Sequence, residues 1–289
     1  MDYVLPAEIL SDALRAAEKK THLSVRDLLI RGALAGVFLG YATSLAVLAV
    51  TQGLPAIMGA IVFPVGFVML VLLGLELATG NFALLPAALL DRRITLGAML
   101  RNWGWVYAGN LLGSVLYAYL LYAAITNFGT ANGGPLADQL RQIAVKKTLA
   151  YEALGGAGWA AAFVKGLLCN WMVTVGTMLA FASRSTAGKI LGMWLPITTF
   201  FAHGYEHSIV NMFVIPAGMF LGAPVPLAKW WLWNQIPVTL GNIVAGALLT
   251  GIALWLTYGQ RQPRVVAEAV AASRTAEKET LDAIHTLAT

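Results

Sequence analysis

Cysteine is nearly missing from this sequence, and charge is scarce. The single cysteine, Cys169, lies inside an apolar run, which excludes an intramolecular disulfide and a cysteine-based metal cluster. Only 11% of the 289 residues are Asp, Glu, Lys or Arg, against about a quarter in soluble domains. No glycine-rich phosphate loop occurs, so nothing points to an ATP-driven pump. Pro6 to Lys20 lacks the basic start and apolar core of a secretory signal. The net charge of +5 does not indicate nucleic acid, because the basic residues cluster at the ends of apolar runs and form no single basic face.

What is abundant is apolar length: 58% of residues are hydrophobic and the mean hydropathy is +0.72. A helix crosses a bilayer with about 20 apolar residues, and windows of that kind fall near 28–50, 56–90, 99–126, 158–183, 187–220 and 235–259. The expected class is all-α integral membrane with six spans over 28–260 (repeat one 28–127, repeat two 158–260). Residues 1–27 form an amphipathic cytoplasmic segment, with Leu10, Leu14 and Ala17 on one face, and 261–289 form a cytoplasmic helical tail. Arg15, Lys19, Lys20, Arg26, Arg31, Arg92, Arg93, Arg101, Arg184, Lys189, Arg261 and Arg264 fall on the side of the termini; Arg141, Lys146, Lys147 and Lys229 fall on the other. The positive-inside bias therefore predicts cytoplasmic termini in a cell membrane.

The second and fifth windows are too long for one crossing, and each has a polar interruption. Gly74 to Ala87 and Gly204 to Ala217 both spell G-x-E-x-x-x-x-N-x-x-x-x-P-A, five identities in fourteen positions. Around them Gly109-Asn110 matches Gly241-Asn242, and Arg31-Gly32 matches Lys165-Gly166. A three-helix unit is thus duplicated, and an odd number of spans per unit inverts the second copy in the membrane. Backbone that leaves helical geometry at membrane depth must be buried in protein or line a wet path. Half-helices beginning near Asn81 and Ser208 would aim their positive N-terminal ends at that path, which favours an anion. Asn81 and Asn211 suit caps of the broken ends, and Asn110 and Asn242 suit partners of the freed backbone groups.

His207 is the titratable ring beside the second break, and its counterpart in the first is Leu77; an ionisable group at that depth is a pore candidate. Thr79 offers a hydroxyl at the same level. Glu76 and Glu206, at equivalent positions, would repel an anion and read as structural supports. Phe63, Phe67, Leu77, Phe82, Phe200 and Phe201 supply apolar collars suited to gating by dewetting. Lys146, Lys147 and Lys165 are positioned to concentrate anions on the outer side. His203 to His207 fits the zinc-peptidase pattern H-x-x-E-H, but the Gly-x-Glu part recurs at Gly74 without histidines and no third ligand is evident, so neither metal, cofactor nor enzyme activity is expected.

The string from Gly204 to Phe213 (GYEHSIVNMF) with Pro216, together with Leu168-Cys169-Asn170-Trp171 and Ile236 to Asn242 (IPVTLGN), resembles the formate/nitrite transporter family. The resemblance covers nearly all six spans. It implies an aquaporin-like protomer, a homopentamer embedded in lipid, and passage of formate, nitrite or hydrosulfide past a central His207 and a facing Thr79, with Asn170 in the pore. It further implies constrictions at Leu77 and Phe200 and an outer lysine at Lys146 or Lys147. The segment from Trp230 to Pro237 most resembles formate-linked members. Gly155 to Gly158 and the small Ala78 depart from the pattern. A nitrite or hydrosulfide channel and an aquaporin-like neutral-solute channel are the alternatives, though the latter expects adjacent Asn-Pro-Ala, whereas four residues separate Asn from Pro here.

Overall fold

The computed structural model describes residues 2–259; the expected tail at 261–289 lies outside the described residues. The described chain is all helical, with one isolated antiparallel bridge between Tyr3 and Ser183. Helix α1 (Pro6–Thr21) is amphipathic and buries Leu10, Ala13, Leu14 and Ala17. Helix α2 (Val25–Thr51) begins at Ser24, whose side chain accepts from the Asp27 N–H, a cap that satisfies one of the free first-turn donors. The long second window divides into α3 (Ala56–Val62), α4 (Pro64–Leu72) and α5 (Ala78–Leu90). Helix α6 (Leu96–Thr126) starts on the Thr95 cap and ends at left-handed Asn127.

The linking segment 127–158 is not featureless. It holds α7 (Gly134–Lys146) and the single turn α8 (Leu149–Ala153), and α9 (Gly156–Leu179) follows. The glycines there have a use: a Cβ on Gly158 would collide with the carbonyl of Tyr151, so α8 folds back tightly onto the start of α9. The fifth window divides into α10 (Thr186–Ala202) and α11 (Ser208–Phe220). Helix α12 runs from Leu227 to Tyr258 and contains π-helical turns at Trp231–Gln235 and Ala245–Ile252. The first π turn brings neighbours Asn234 and Gln235 both into the interior.

Helices α2, α6, α9 and α12 are long and apolar enough to cross a membrane. Packing repeats between the halves: α2 against α6 matches α9 against α12, α1 against α5 matches α7 against α11, and α11 against α6 matches α5 against the end of α12. The duplicated unit therefore includes the amphipathic helix preceding each set of apolar ones.

The N-terminus is tied to the α9–α10 link. Asp2 accepts from the hydroxyls of Ser183 and Ser185 and the N–H groups of Arg184 and Ser185. These donors, the Ser183 hydroxyl foremost, hold the Asp2 carboxyl below its ordinary value. A depressed carboxyl pKa means the strap is at full strength above the free value near 3.8 and weakens as pH falls below it. Asp2→Asn is accordingly expected to speed hydrogen exchange at the Arg184 and Ser185 amides at neutral pH, leaving exchange inside α9 unchanged.

Candidate functional site

Each break begins on a glycine that reverses the backbone. Gly74 and Gly204 have φ of 64° and 66°, and the N–H groups of Gly74 and Leu75 close onto Val71 and Leu70, as those of Gly204 and Tyr205 close onto Phe201 and Phe200. This is the left-handed helix stop that glycine adopts without a Cβ penalty. Leu77 and His207 are then extended, at φ of −119° and −106°, before α5 and α11 start.

The groups freed by the breaks are paired by a duplicated set of side chains. Asn110 accepts from the Ala78 N–H (3.0 Å) and donates to the carbonyls of Glu76 and Gly32. Asn242 likewise accepts from Ser208 N–H (2.9 Å) and donates to Glu206 and Gly166. Lys20 binds the Glu76 carboxylate at 2.8 Å and Lys147 binds that of Glu206 at 2.7 Å. Asn81 donates to Glu76 and Asn102, and Asn211 to Glu206 and Asn234. Asn102 and Asn234 in turn donate to the carbonyls of Lys20 and Lys147. Both glutamates are 2% exposed, so each buried carboxylate is neutralised by a lysine and solvated by amides.

Several sequence expectations are corrected here. Asn81 and Asn211 do not cap the half-helices; they hold the glutamates, because each lies one turn inside its helix. The first half-helix starts at Ala78, three residues before Asn81. Lys147 is half-buried and engaged by Glu206 rather than free on the outer side, and Lys146 is simply exposed. Asn170 is fully buried and donates to the carbonyls of Thr79 and Asn242; it ties α5 to α12 and thereby positions Thr79. Asn102, Asn234 and Tyr151, which donates to Glu206 at 2.8 Å, join these networks from outside the repeat motif, and Lys20, expected only as an orientation signal, pairs with Glu76. Asn102 and Asn234 had a signal: each lies eight residues before Asn110 or Asn242.

The two halves differ at the centre. His207 Nδ1 accepts from the Ile209 and Val210 N–H groups at 3.2 Å, capping α11. An accepting Nδ1 carries no proton, so the neutral ring holds its proton on Nε2, 3.2 Å from Thr79 Oγ1. Leu77 cannot cap α5, and the N–H groups of Thr79 and Gly80 have no partner among the described residues. His207 is 2% exposed and Thr79 0%. Phe200 stacks on His207 at 5.8 Å, and Phe63 meets Phe200 edge-on and Phe201 face-on. On the α1 side lies a cavity of about 260 Å³ bordered by Lys20, Leu77, Gly80, Asn81, Thr177 and Lys189.

The family model described as formate/nitrite transporter matches residues 7–256. The chain belongs to the formate/nitrite transporter family. A probable formate transporter of Methanothermobacter thermautotrophicus is 39% identical over 277 residues, covering 88% of this chain and 96% of the relative. The formate channel FocA of Escherichia coli K12 is 31% identical over 283 residues, covering 89% and 95%. Among solved structures, an FNT family ion channel gives a TM-score of 0.75 at 26% identity over 86% of this chain and 98% of that one. A pentameric formate channel with formate bound gives 0.67 at 27% identity over 82% and 98%.

As a member of the formate/nitrite transporter family, this chain is a membrane-embedded transport protein. The H-x-x-E-H pattern is spent elsewhere: His203 donates through Nδ1 to the Thr199 carbonyl and stacks on Tyr205, while Glu206 is held by Lys147 and Tyr151. Among the described residues no group of three His, Cys, Asp or Glu side chains is gathered for a metal.

Proposed function

We propose that this chain passes formate through a pore between its two helix breaks, with His207 and Thr79 at the centre and Leu77 and Phe200 as apolar constrictions on either side. The observation that carries the reading is the donor-rich centre: the Nε2–H of His207, the Thr79 hydroxyl and the unpaired N–H groups of Thr79 and Gly80 lie at the two breaks, while both nearby carboxylates are cancelled by lysines. Such a centre stabilises one negative charge. A probable formate transporter and a formate channel among its relatives support formate over nitrite and hydrosulfide.

In this reading the chain makes six crossings as an inverted repeat, with an aquaporin-like protomer. The α1 side and both termini face the cytoplasm, in the inner or plasma membrane. It assembles as a pentamer, as its formate-bound structural neighbour does. Protonating Nδ1 of His207 would replace the acceptor of the Ile209 and Val210 N–H groups with a third donor, so protonation of the ring would loosen the first turn of α11 and change flux.

The test is uptake into proteoliposomes of formate, nitrite, hydrosulfide and glycerol, corrected for protein-free vesicles. Formate flux exceeding that of the other three is expected. Preference for nitrite or hydrosulfide would change the substrate, and glycerol flux without anion flux would overturn the anion pore.

A further inference from the structure

The duplicated networks use one lysine on each side, and on the border of the α1-side cavity one further cation is left over. Lys20 and Lys147 are committed to buried glutamates at 2.8 and 2.7 Å, and Lys165 reaches the Tyr151 hydroxyl at 3.3 Å. Lys189, near the start of α10, borders the α1-side cavity and is half-buried, and its ammonium has no ion pair or hydrogen bond among the described residues. Helix stability does not account for it there, since a cation near a helix N-terminus opposes the positive end of the dipole; α10 has no acidic residue of its own in its first turn, and the carboxylate beside that turn, Asp2, is held by Ser183, Arg184 and Ser185 and makes no ion pair with Lys189. Nor does the repeat require it: Lys189 lies fifteen residues before Gly204, and the same spacing before Gly74 falls on Gly59.

The rest of the cavity gives that charge its meaning. Its border includes Phe67, Leu70, Leu77 and Leu84 and, among the described residues, no carboxylate-bearing side chain. The other ammonium on the border, that of Lys20, is offset by Glu76. The cavity thus carries one uncompensated positive charge against an apolar wall, just below the Leu77 constriction. One such charge fits a small anion with one negative charge; a dianion would need a second cation.

We propose that Lys189 is the anion-receiving residue of the cytoplasmic vestibule, pairing with a small monocarboxylate before it passes Leu77 or after it leaves. The proposal rests on the pore reading above. Its effect is electrostatic and local, so it raises anion occupancy on one side and is screened by salt; the screening length shrinks from about 30 Å at 0.01 M to about 10 Å at 0.1 M.

The experiment compares native protein with Lys189→Arg, Lys189→Gln and Lys189→Glu in inside-out and right-side-out membrane vesicles, measuring initial formate flux against formate concentration. In inside-out vesicles at about 0.01 M salt, K189Q is expected to raise half-saturating formate by about three- to tenfold, K189E further, and K189R is expected to remain near native. The gap should close at about 0.3 M salt and be much smaller in right-side-out vesicles. K189Q and K189E within twofold of native at low salt, in correctly assembled protein, would overturn the proposal alone. Native protein that passes no formate in either vesicle type would overturn the pore reading and this proposal with it.

Discussion

Replacing His207 by Asn is expected to leave the protein assembled but to cut formate flux at least tenfold. The ring has two separable tasks. Its Nδ1 caps α11 by accepting from Ile209 and Val210, and its Nε2–H faces Thr79. An Asn side chain is a good helix cap and its oxygen can take over the first task at every pH, but it is too short to supply the Nε2 donor. Loss of one donor to a charged ligand is worth about 1.5–3 kcal/mol, which sets the tenfold floor. Ala at 207 would lose the cap as well, a further cost of about 1 kcal/mol to the protein, and would leave a void against Phe200. Flux in proteoliposomes from pH 5 to 8, divided by that of protein-free vesicles, checks this. H207N flux within twofold of the native flux across that range would remove His207 from the mechanism.

The repeat was legible because it rests on backbone requirements that few residues meet. Glycine at 74 and 204 satisfies a positive φ, and an Asn at 110 and 242 supplies both an acceptor and donors at one point. Those needs leave identical letters at matching positions. The partners of the glutamates were harder to read, since Lys20 and Lys147 sit in different sequence surroundings and arrive by folding of amphipathic helices onto α5 and α11. Spacing also could not decide what Asn81 and Asn211 do. An Asn near a helix start suggests a cap, but one turn further in, its side chain points back along the helix to a carboxylate. The role of Asn170 depended on which carbonyls α5 and α12 present to it, which is a tertiary fact. The asymmetry at the centre, by contrast, was visible as His207 set against Leu77.

Lys147→Met is expected to be the most destabilising of the conservative changes around the site, and its rescue by Glu206→Gln is the sharper test. The Glu206 carboxylate is 3% exposed and takes Lys147, Asn211 and Asn234 on one oxygen and Tyr151 on the other. Without the ammonium it remains a buried charge held by neutral donors, and breaking such a pair costs about 3–5 kcal/mol. In the double variant no charge is buried, and Gln keeps an acceptor for the amide donors, so most of that loss should return. Thermal unfolding in detergent, followed by retention of the assembled species on gel filtration, checks both steps. If K147M matches native, or if E206Q fails to rescue it, the pair is not what holds the second break. The equivalent Lys20→Met should cost less although Glu76 is equally buried, because Lys20 borders the α1-side cavity, through which water can reach the orphaned carboxylate. The same neutral double variant should still pass formate, since a carboxylate cancelled by its lysine contributes no net charge to the pathway.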